Sequence, residues 1–161
     1  MIGKTVFAQI HSRKKPVDGG SNPSNPTIMM TDCIFCKIAK GEIPCHKIYE
    51  DAKVMSFLDI NPTNKGHLLI IPKKHVTRFK DMEKETLVDI FNAMQIILNK
   101  VEPKISQSYH ILINQGKEAG QSVDHLHIHI IPRHVKDGLM LSMPGKKLTE
   151  EDAKELIEKL K

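Results

Sequence analysis

The chain carries, at residues 125–131, the run His125-Leu126-His127-Ile128-His129-Ile130-Ile131. Histidine and aliphatic residues alternate with a period of two, which places three imidazoles on one face of a strand and the aliphatic side chains on the other. A polar strand face is the plain interpretation, whereas perturbed titratable groups cluster at working sites. The run therefore predicts a functional face, and a metal site is the chemical alternative because zinc enzymes also use histidines at this spacing.

The segments around this run predict an α+β fold. Apolar residues at spacings of three and four between Leu87 and Val101 indicate an amphipathic helix over 83–101. A last helix is predicted to begin at Thr149, whose hydroxyl faces Asp152 in a capping-box-like pattern. We expect a five-stranded, mainly antiparallel sheet, the long helix, a short N-terminal helix and a C-terminal helix, with strands at 43–50, 53–59, 67–72, 109–113 and 124–131.

Composition limits the classes of protein that this chain can represent. Its 161 residues, 40% of them hydrophobic, suffice for one core but argue against two large domains. Aromatic residues make up 4% and Trp is absent, which argues against the stacking platforms of nucleic-acid-binding proteins. No apolar run reaches the roughly 18 residues that a membrane span needs, so no membrane partner is expected.

The chain is predicted to have three parts. Residues 1–30 lack an apolar period and are rich in Pro, Gly, Ser and Asn, so we expect a disordered extension, and Met29 or Met30 could also be the start of translation. This segment holds a local charge of +3 of the total of +5, which leaves nucleic-acid binding by the tail as a minor alternative. The folded domain is predicted over 31–135, followed by a C-terminal extension with its helix over 136–161.

The chain has only three cysteines, Cys33, Cys36 and Cys45. A small and odd number does not suit a disulfide framework, so a cytoplasmic location is expected. Cys33 and Cys36 form a C-x-x-C pair. From spacing alone this pair is half of a zinc site, a redox pair, or two thiols in one turn.

Four motifs follow one another along the chain: Gly66-His67-Leu68-Leu69-Ile70-Ile71-Pro72-Lys73-Lys74-His75, Asn114-Gln115-Gly116, Gly120-Gln121-Ser122-Val123 and the histidine run. Over about residues 33–132 they resemble the histidine triad (HIT) superfamily of nucleotide hydrolases and transferases, in its prokaryote-type form. Several ordered motifs are far more specific than a lone H-x-H-x-H pattern.

The resemblance implies nucleophilic catalysis on a purine nucleotide. His127 is expected to attack the α-phosphorus and form a nucleotidyl-histidine intermediate, which water hydrolyses to a nucleoside monophosphate. His129 is expected to support the reaction and contact the phosphate, and Ser122 to help protonate the leaving group.

The resemblance also implies a nucleotide pocket. Two glycines in the loop before the run would let backbone N–H groups approach a phosphate, and Asn114 and Gln121 would add side-chain donors. Asp59 matches the acid that bonds the ribose hydroxyls, and His67 borders the triad. The expected nucleotide contacts are Ile34, Phe35, Ile38, Phe57, Leu58, Asp59, Ile60, His67, Asn114, Gly120, Gln121, Ser122, His127 and His129.

Zinc is the cofactor that the resemblance implies. Family members with a C-x-x-C pair at this place bind structural zinc with residues that correspond here to Cys33, Cys36, His75 and His125. In members without the cysteines the first histidine faces the phosphate, so His125 has two possible roles, of which we favour zinc.

Substrate and assembly are less defined by the motifs. Phosphoramidates are the expected substrates, with dinucleoside polyphosphates, or nucleotide binding with incidental turnover, as the alternatives. Family members pair through the long helix and the neighbouring strand, so the resemblance implies a homodimer.

Overall fold

The computed structural model describes residues 32–139 and 145–161 of the chain. The extension predicted for residues 1–30 lies outside the described residues. Among the described helices, none is long and apolar enough to cross a membrane.

Helices and strands follow the predicted order along the described residues. The long helix and the C-terminal helix fall where the apolar periods predicted them. The elements are α1 (Ile34–Ala39), β1 (Lys47–Glu50), β2 (Val54–Leu58), β3 (Leu68–Pro72), α2 (Lys84–Val101), β4 (Ser108–Leu112), β5 (Ile128–Arg133) and α3 (Glu150–Leu160).

The five strands form one sheet in the order β1-β2-β3-β5-β4, and all neighbours are antiparallel. The connection through α2 carries the chain past β3 to the far edge of the sheet. Strand β5 then returns between β3 and β4, so His129, the last histidine of the run, lies beside β3 in the interior of the sheet. This arrangement confirms the predicted α+β fold with its antiparallel sheet.

Helix α2 covers one face of the sheet. Its residues Ile90, Ala93 and Ile97 are almost fully buried and recur at spacings of three and four, as the period predicted. They pack with Ile70 and Ile130 from β3 and β5. Burial of one such isoleucine side chain contributes about 2 kcal/mol, so this face supplies much of the folding energy.

Helix α1 packs on the opposite face of the sheet. Its Phe35 and Ile38 are buried with Phe57, Leu69 and other residues of β2 and β3 in a second apolar cluster. The two faces therefore divide the sheet, since odd and even positions of each strand point to different helices. The α1 side is the side on which the histidines lie.

The prediction that a strand runs over 124–131 was wrong at its beginning, because β5 starts only at Ile128. The Leu126 N–H donates to the Val76 carbonyl at 2.7 Å, and the His125 N–H donates to the Val123 carbonyl at 2.8 Å. These backbone bonds take residues 125–127 out of the ladder. The first strand likewise begins at Lys47 rather than at Ile43, and its pairing is irregular between Lys47 and Tyr49.

Helix α3 begins as predicted, with the Thr149 hydroxyl accepting a hydrogen bond from the Asp152 N–H at 3.1 Å. Its apolar stripe is exposed: half or more of the surface of Leu156, Ile157 and Leu160 is open to solvent.

Candidate functional site

The histidines gather where β5 lies beside β3, on the α1 side of the sheet. Ile128 and Ile130 belong to the α2 core, so the alternate position His129 points the other way. His129 pairs with Leu69, which packs in the α1 cluster. The rings of Phe35, from α1, and His127 meet in a T-shaped contact with their centroids 5.3 Å apart.

His127 has one ring nitrogen engaged and one free for chemistry. Its Nδ1 lies 2.6 Å from the backbone carbonyl oxygen of His125. A carbonyl only accepts hydrogen bonds, so Nδ1 must carry the proton and Nε2 holds the lone pair of the neutral ring. The side chain is buried, with 3% of its surface exposed, and its orientation is fixed by this backbone bond.

A chain of hydrogen bonds fixes the protons on the two neighbouring histidines. The Thr63 N–H donates to His67 Nδ1 at 3.1 Å, so a neutral His67 carries its proton on Nε2. His67 Nε2 lies 2.9 Å from His129 Nδ1 and donates to it. The proton of a neutral His129 is therefore on Nε2, a buried donor without a hydrogen-bond partner among the described residues. Such a donor is suited to a ligand oxygen.

Burial keeps these two imidazoles neutral. It lowers the pKa of His129 to about 4, with the neighbouring His127 and His67 acting in the same direction. Burial also lowers the pKa of His67, against a smaller opposing effect of Asp59. Both rings are therefore neutral at physiological pH, as the hydrogen-bond chain from Thr63 requires.

The stability of the fold should fall as the pH is lowered from about 7 to about 5, and His129 should account for about 1 to 2 kcal/mol of the fall. In the unfolded chain its imidazole takes up a proton below about pH 6.5, whereas the folded pKa is about 4. The unfolded state therefore binds more protons in this window, and stability is lost as pH falls. Urea unfolding of the wild type and of His129→Gln at both pH values measures the difference.

An exposed histidine provides the control for this titration. His134 lies just beyond β5 and is exposed, so His134→Gln should keep the pH dependence of the wild type. Equal pH dependence of the wild type and His129→Gln would contradict the assignment to His129.

Asp59 lies at the end of β2 beside the histidines. Its Oδ1 accepts a hydrogen bond from the Asn61 N–H at 2.8 Å, and its Oδ2 lies 3.7 Å from His67 Nδ1, too far for a hydrogen bond. Its carboxylate retains acceptor capacity for a hydroxyl group, which the predicted ribose contact requires.

The predicted apolar wall divides into buried and exposed members. Phe35, Ile38 and Phe57 are buried between α1 and the sheet, and Ile34 packs against them. Ile60 is 39% exposed, next to Asp59. Leu58, predicted in the same wall, packs instead in the α2 cluster on the opposite face of the sheet, so that part of the prediction was wrong. The buried members form part of the core, and Phe35 also contacts the rings of His125 and His127.

The glycine-rich loop before β5 is shaped by two positive φ angles. Gly116 (φ +89°) and Gly120 (φ +80°) flank a single 3-10 turn at Lys117–Ala119, and these angles favour glycine. The Gln121 Oε1 accepts from the Gly116 N–H at 2.8 Å and its Nε2 donates to the Thr77 carbonyl at 3.3 Å. Gln121 thus braces the loop, and one hydrogen of its amide remains for a ligand.

The two other polar residues predicted in this loop differ in burial. Ser122 is exposed, and Asn114 is half-buried. The Asn114 amide nitrogen approaches Gly120, 3.9 Å from where a Cβ would stand. Both residues therefore lie in the loop that leads into the histidine run.

The two cysteines of the C-x-x-C pair and two histidines form a four-residue cluster. One ligand atom from each of Cys33, Cys36, His75 and His125 lies within 4.8 Å of the others. His125 Nδ1 is 3.4 Å from Cys33 Sγ and 3.5 Å from Cys36 Sγ, and His75 Nδ1 is 3.3 Å from Cys36 Sγ. Tetrahedral zinc would hold sulfur and nitrogen ligands about 3.5 Å apart, so the donor set fits this ion.

The surroundings of the cluster also suit a metal. His125 Nε2 lies 2.8 Å from the Pro72 carbonyl, which leaves Nδ1 as the ligand atom and supplies the outer hydrogen bond typical of metal-bound histidine. Burial lowers the pKa of His125 to about 4 and raises that of Cys36 to about 11. A divalent cation would compensate the cost of a buried thiolate.

One contributor to the site carried no signal in the sequence. Thr63 acts on His67 through its backbone N–H, and any residue except proline could supply that group. Only the position of the loop in space reveals it.

Comparison with known proteins adds a family and named relatives. Residues 40–136 match the family model of the HIT domain. The chain is 41% identical over 129 residues to the adenosine 5'-monophosphoramidase of Schizosaccharomyces pombe, a match that covers 80% of this chain and 95% of that protein. It is 40% identical over 124 residues to the adenylylsulfatase of Arabidopsis thaliana, covering 76% of this chain and 63% of that protein.

A solved structure shares the fold. The histidine triad nucleotide-binding protein of Candida albicans superposes with a TM-score of 0.71 at 38% sequence identity. The match covers 80% of this chain and 94% of that one.

Proposed function

Since this chain belongs to the HIT domain family, we propose that it is a nucleotide hydrolase that releases a nucleoside monophosphate from purine nucleoside phosphoramidates. The observation that carries the proposal is the bond from His127 Nδ1 to the His125 carbonyl. It leaves His127 Nε2 with a lone pair next to the ring of His129, whose Nε2–H has no hydrogen-bond partner within residues 32–139 and 145–161.

In the first step His127 Nε2 attacks the α-phosphorus, and the bond between phosphorus and the leaving nitrogen breaks. The phosphorylated ring keeps its Nδ1 proton and becomes positively charged. The His125 carbonyl oxygen, 2.6 Å away, stabilises that charge. Ser122 supplies the hydroxyl group that helps protonate the leaving amine.

Negative charge on the phosphoryl oxygens needs donors that are already oriented. His129 Nε2–H is such a donor, because the bonds from Thr63 through His67 fix its proton in place. Asn114, Gln121 and the backbone at Gly120 complete the phosphate contacts.

In the second step water attacks the phosphorus, the bond to His127 Nε2 breaks, and the monophosphate leaves; the proton that the water gives up restores the Ser122 hydroxyl, whose proton left with the amine. The ring returns to its neutral form with the proton still on Nδ1. The nucleoside is held by Asp59 through the ribose hydroxyls and by the apolar wall beneath the base, formed by Ile34, Phe35, Ile38, Phe57 and Ile60.

We further propose that Cys33, Cys36, His75 and His125 hold one structural zinc ion. When bound, the ion ties the start of α1 to β3 and the histidine run, and it takes no part in bond breaking. The described cysteines form no disulfides, and thiol ligands suit a reducing compartment such as the cytoplasm.

The leaving group is tested by comparing the rates at which three substrates are cleaved. Purified protein is supplied separately with adenosine 5'-monophosphoramidate, adenosine 5'-phosphosulfate and a dinucleoside tetraphosphate, and release of adenosine monophosphate is measured. We expect the phosphoramidate to give the highest kcat/KM. Faster cleavage of the tetraphosphate or the phosphosulfate would reassign the substrate, whereas tight nucleotide binding without release from any substrate would indicate a binding module.

A homodimer is the assembly that the surface supports. Val88, Phe91 and Ile96 are exposed apolar residues of α2 on the side away from its buried face. Ile111 of β4 is also exposed, and its pairing with Ile130 directs it to the same face of the sheet. We propose that this α2–β4 surface, with β4 at the edge of the sheet, binds a second copy of the chain.

Phe91→Glu should convert the dimer to a monomer, because it places a charge at the centre of an apolar contact. Light scattering coupled to gel filtration measures the mass in solution. Val135→Glu is the matched control, since Val135 is 93% exposed outside this surface and its replacement should leave a dimer. A wild type that is monomeric at micromolar concentration would refute the assembly.

A further inference from the structure

Asn64, in the loop between β2 and β3, ties that loop to the end of β5. Its Nδ2 donates to the Pro132 carbonyl at 3.0 Å and to Asp137 Oδ2 at 3.3 Å. Pro132 belongs to β5, and Asp137 lies in the turn that follows. One amide group therefore joins the loop of His67 to the strand of His129.

The Asp137 carboxylate, which accepts a hydrogen bond from Asn64, is itself held in place by several donors. Arg133 donates to Asp137 through Nε at 2.7 Å and through Nη2 at 3.0 Å. The backbone N–H groups of His134 and Leu139 also donate to it, and with Arg133 they hold its pKa well below the ordinary range. Arg133 further donates to His110 Nε2 of β4 at 2.6 Å. Asp137 is thus an anionic group held in a fixed position by Arg133 of β5, which is itself bonded to β4.

The loop that Asn64 holds also contains the backbone N–H of Thr63, which determines which ring nitrogen of His67 carries the proton. The Asn64 carbonyl accepts from the His67 N–H at 3.0 Å, while the Thr63 N–H donates to His67 Nδ1. The same loop packs closely at Gly66, where a Cβ would stand 3.1 Å from Ile105 and 3.4 Å from Pro132. A small displacement of the loop would change the distance from Thr63 to the ring.

We propose that Asn64 is a positioning residue, which by its bridge to Pro132 and Asp137 keeps the Thr63 N–H on His67 and thereby keeps the proton of His129 on Nε2. The inference rests on the proposed function, in which that proton contacts the phosphate. Loss of the bridge lets His67 exchange between its two neutral forms. His129 then presents a lone pair instead of a donor in part of the molecules, which lowers the rate of the chemical step more than nucleotide binding.

The test measures directly which ring nitrogen of each histidine is protonated. Long-range ¹H–¹⁵N correlation spectra of the full-length protein report which ring nitrogen of each histidine carries hydrogen, without any substrate. The wild type is compared with Asn64→Ala and with Asn64→Asp, which keeps the shape of the side chain but loses its donor. Lys65→Ala, at the exposed next position of the same loop, is the matched control.

We expect a single Nε2–H form of His67 and His129 in the wild type and in Lys65→Ala, and mixed forms in both Asn64 variants. With the phosphoramidate as substrate, kcat of the Asn64 variants should fall about three- to tenfold, with KM changed less than about twofold. Unchanged ring protonation in folded Asn64 variants would overturn the proposal. If the wild type cleaves no nucleotide, the spectra still decide the positioning role, so failure of the proposed function is recognised separately.

Discussion

Replacing His127 by alanine should lower the kcat of nucleotide hydrolysis by at least about 10³-fold, the scale on which loss of a covalent nucleophile acts. No neighbouring imidazole can take its place. His129 carries its proton on Nε2, which has no partner in the part of the chain that the structure describes, and the ring nitrogens of His125 face the Pro72 carbonyl and the cysteines. The fold should persist, because the α2 side of the sheet, which holds the main core, is untouched.

The measurement is release of adenosine monophosphate by wild type, His127→Ala and His134→Ala, with circular dichroism to verify folding. His134 is an exposed histidine beyond β5, and its replacement should leave the rate within about twofold. Mass spectrometry of a rapidly quenched wild-type reaction should detect a nucleotide attached to His127. Turnover by folded His127→Ala at a rate near that of the wild type would end the catalytic assignment.

Cys36→Ser should abolish zinc binding and lower the free energy of unfolding by about 4 kcal/mol, the linkage value for a metal about 1,000-fold above its dissociation constant. Cys36 is buried in α1 and lies 3.3 Å from His75 Nδ1 and 3.5 Å from His125 Nδ1. Its loss removes the ligand that touches both histidines. We expect one zinc per wild-type chain by elemental analysis and none in the variant.

Cys45→Ser is the matched control, because Cys45 is a half-buried thiol outside the four-residue cluster. It should keep zinc and most of the stability. A strong chelator added to the wild type should reproduce the loss of stability seen in Cys36→Ser. Wild-type protein without zinc, or equal stability of both serine variants, would contradict the metal site.

The two predictions are linked through His125. Its ring belongs to the cysteine cluster, while its carbonyl accepts the hydrogen bond from His127 Nδ1–H. Loss of zinc should therefore reduce kcat as well as stability, by loosening the group that orients His127. His125 can thus serve the metal and the phosphate chemistry together, one through its side chain and the other through its backbone.

Local periods in the sequence were sufficient to predict the helices and strands and much of the candidate site. Spacings of three and four defined α2, the alternation around Ile128 and Ile130 separated the core face from the histidine face, and the Thr149 pattern marked the start of α3. The ordered motifs indicated the family, which the domain match and the relatives confirmed. The cysteines and histidines expected to bind zinc lie together, and their metal remains a prediction.

Contacts between distant parts of the chain could not be predicted from these local periods. The backbone bond of Leu126 to Val76 shortened β5, and bonds from Thr63 and Asn64 to distant residues fixed the protons and the loop around His67. A period reports which face a side chain takes, because it follows from the repeat of the backbone itself. The nitrogen that carries a proton depends on what the fold places within about 3 Å of it, and that neighbour comes from elsewhere in the sequence. The sequence by itself therefore determined the elements, the histidine face and the family, and only the tertiary structure decided which histidine nitrogen is free to react and which is ready to donate.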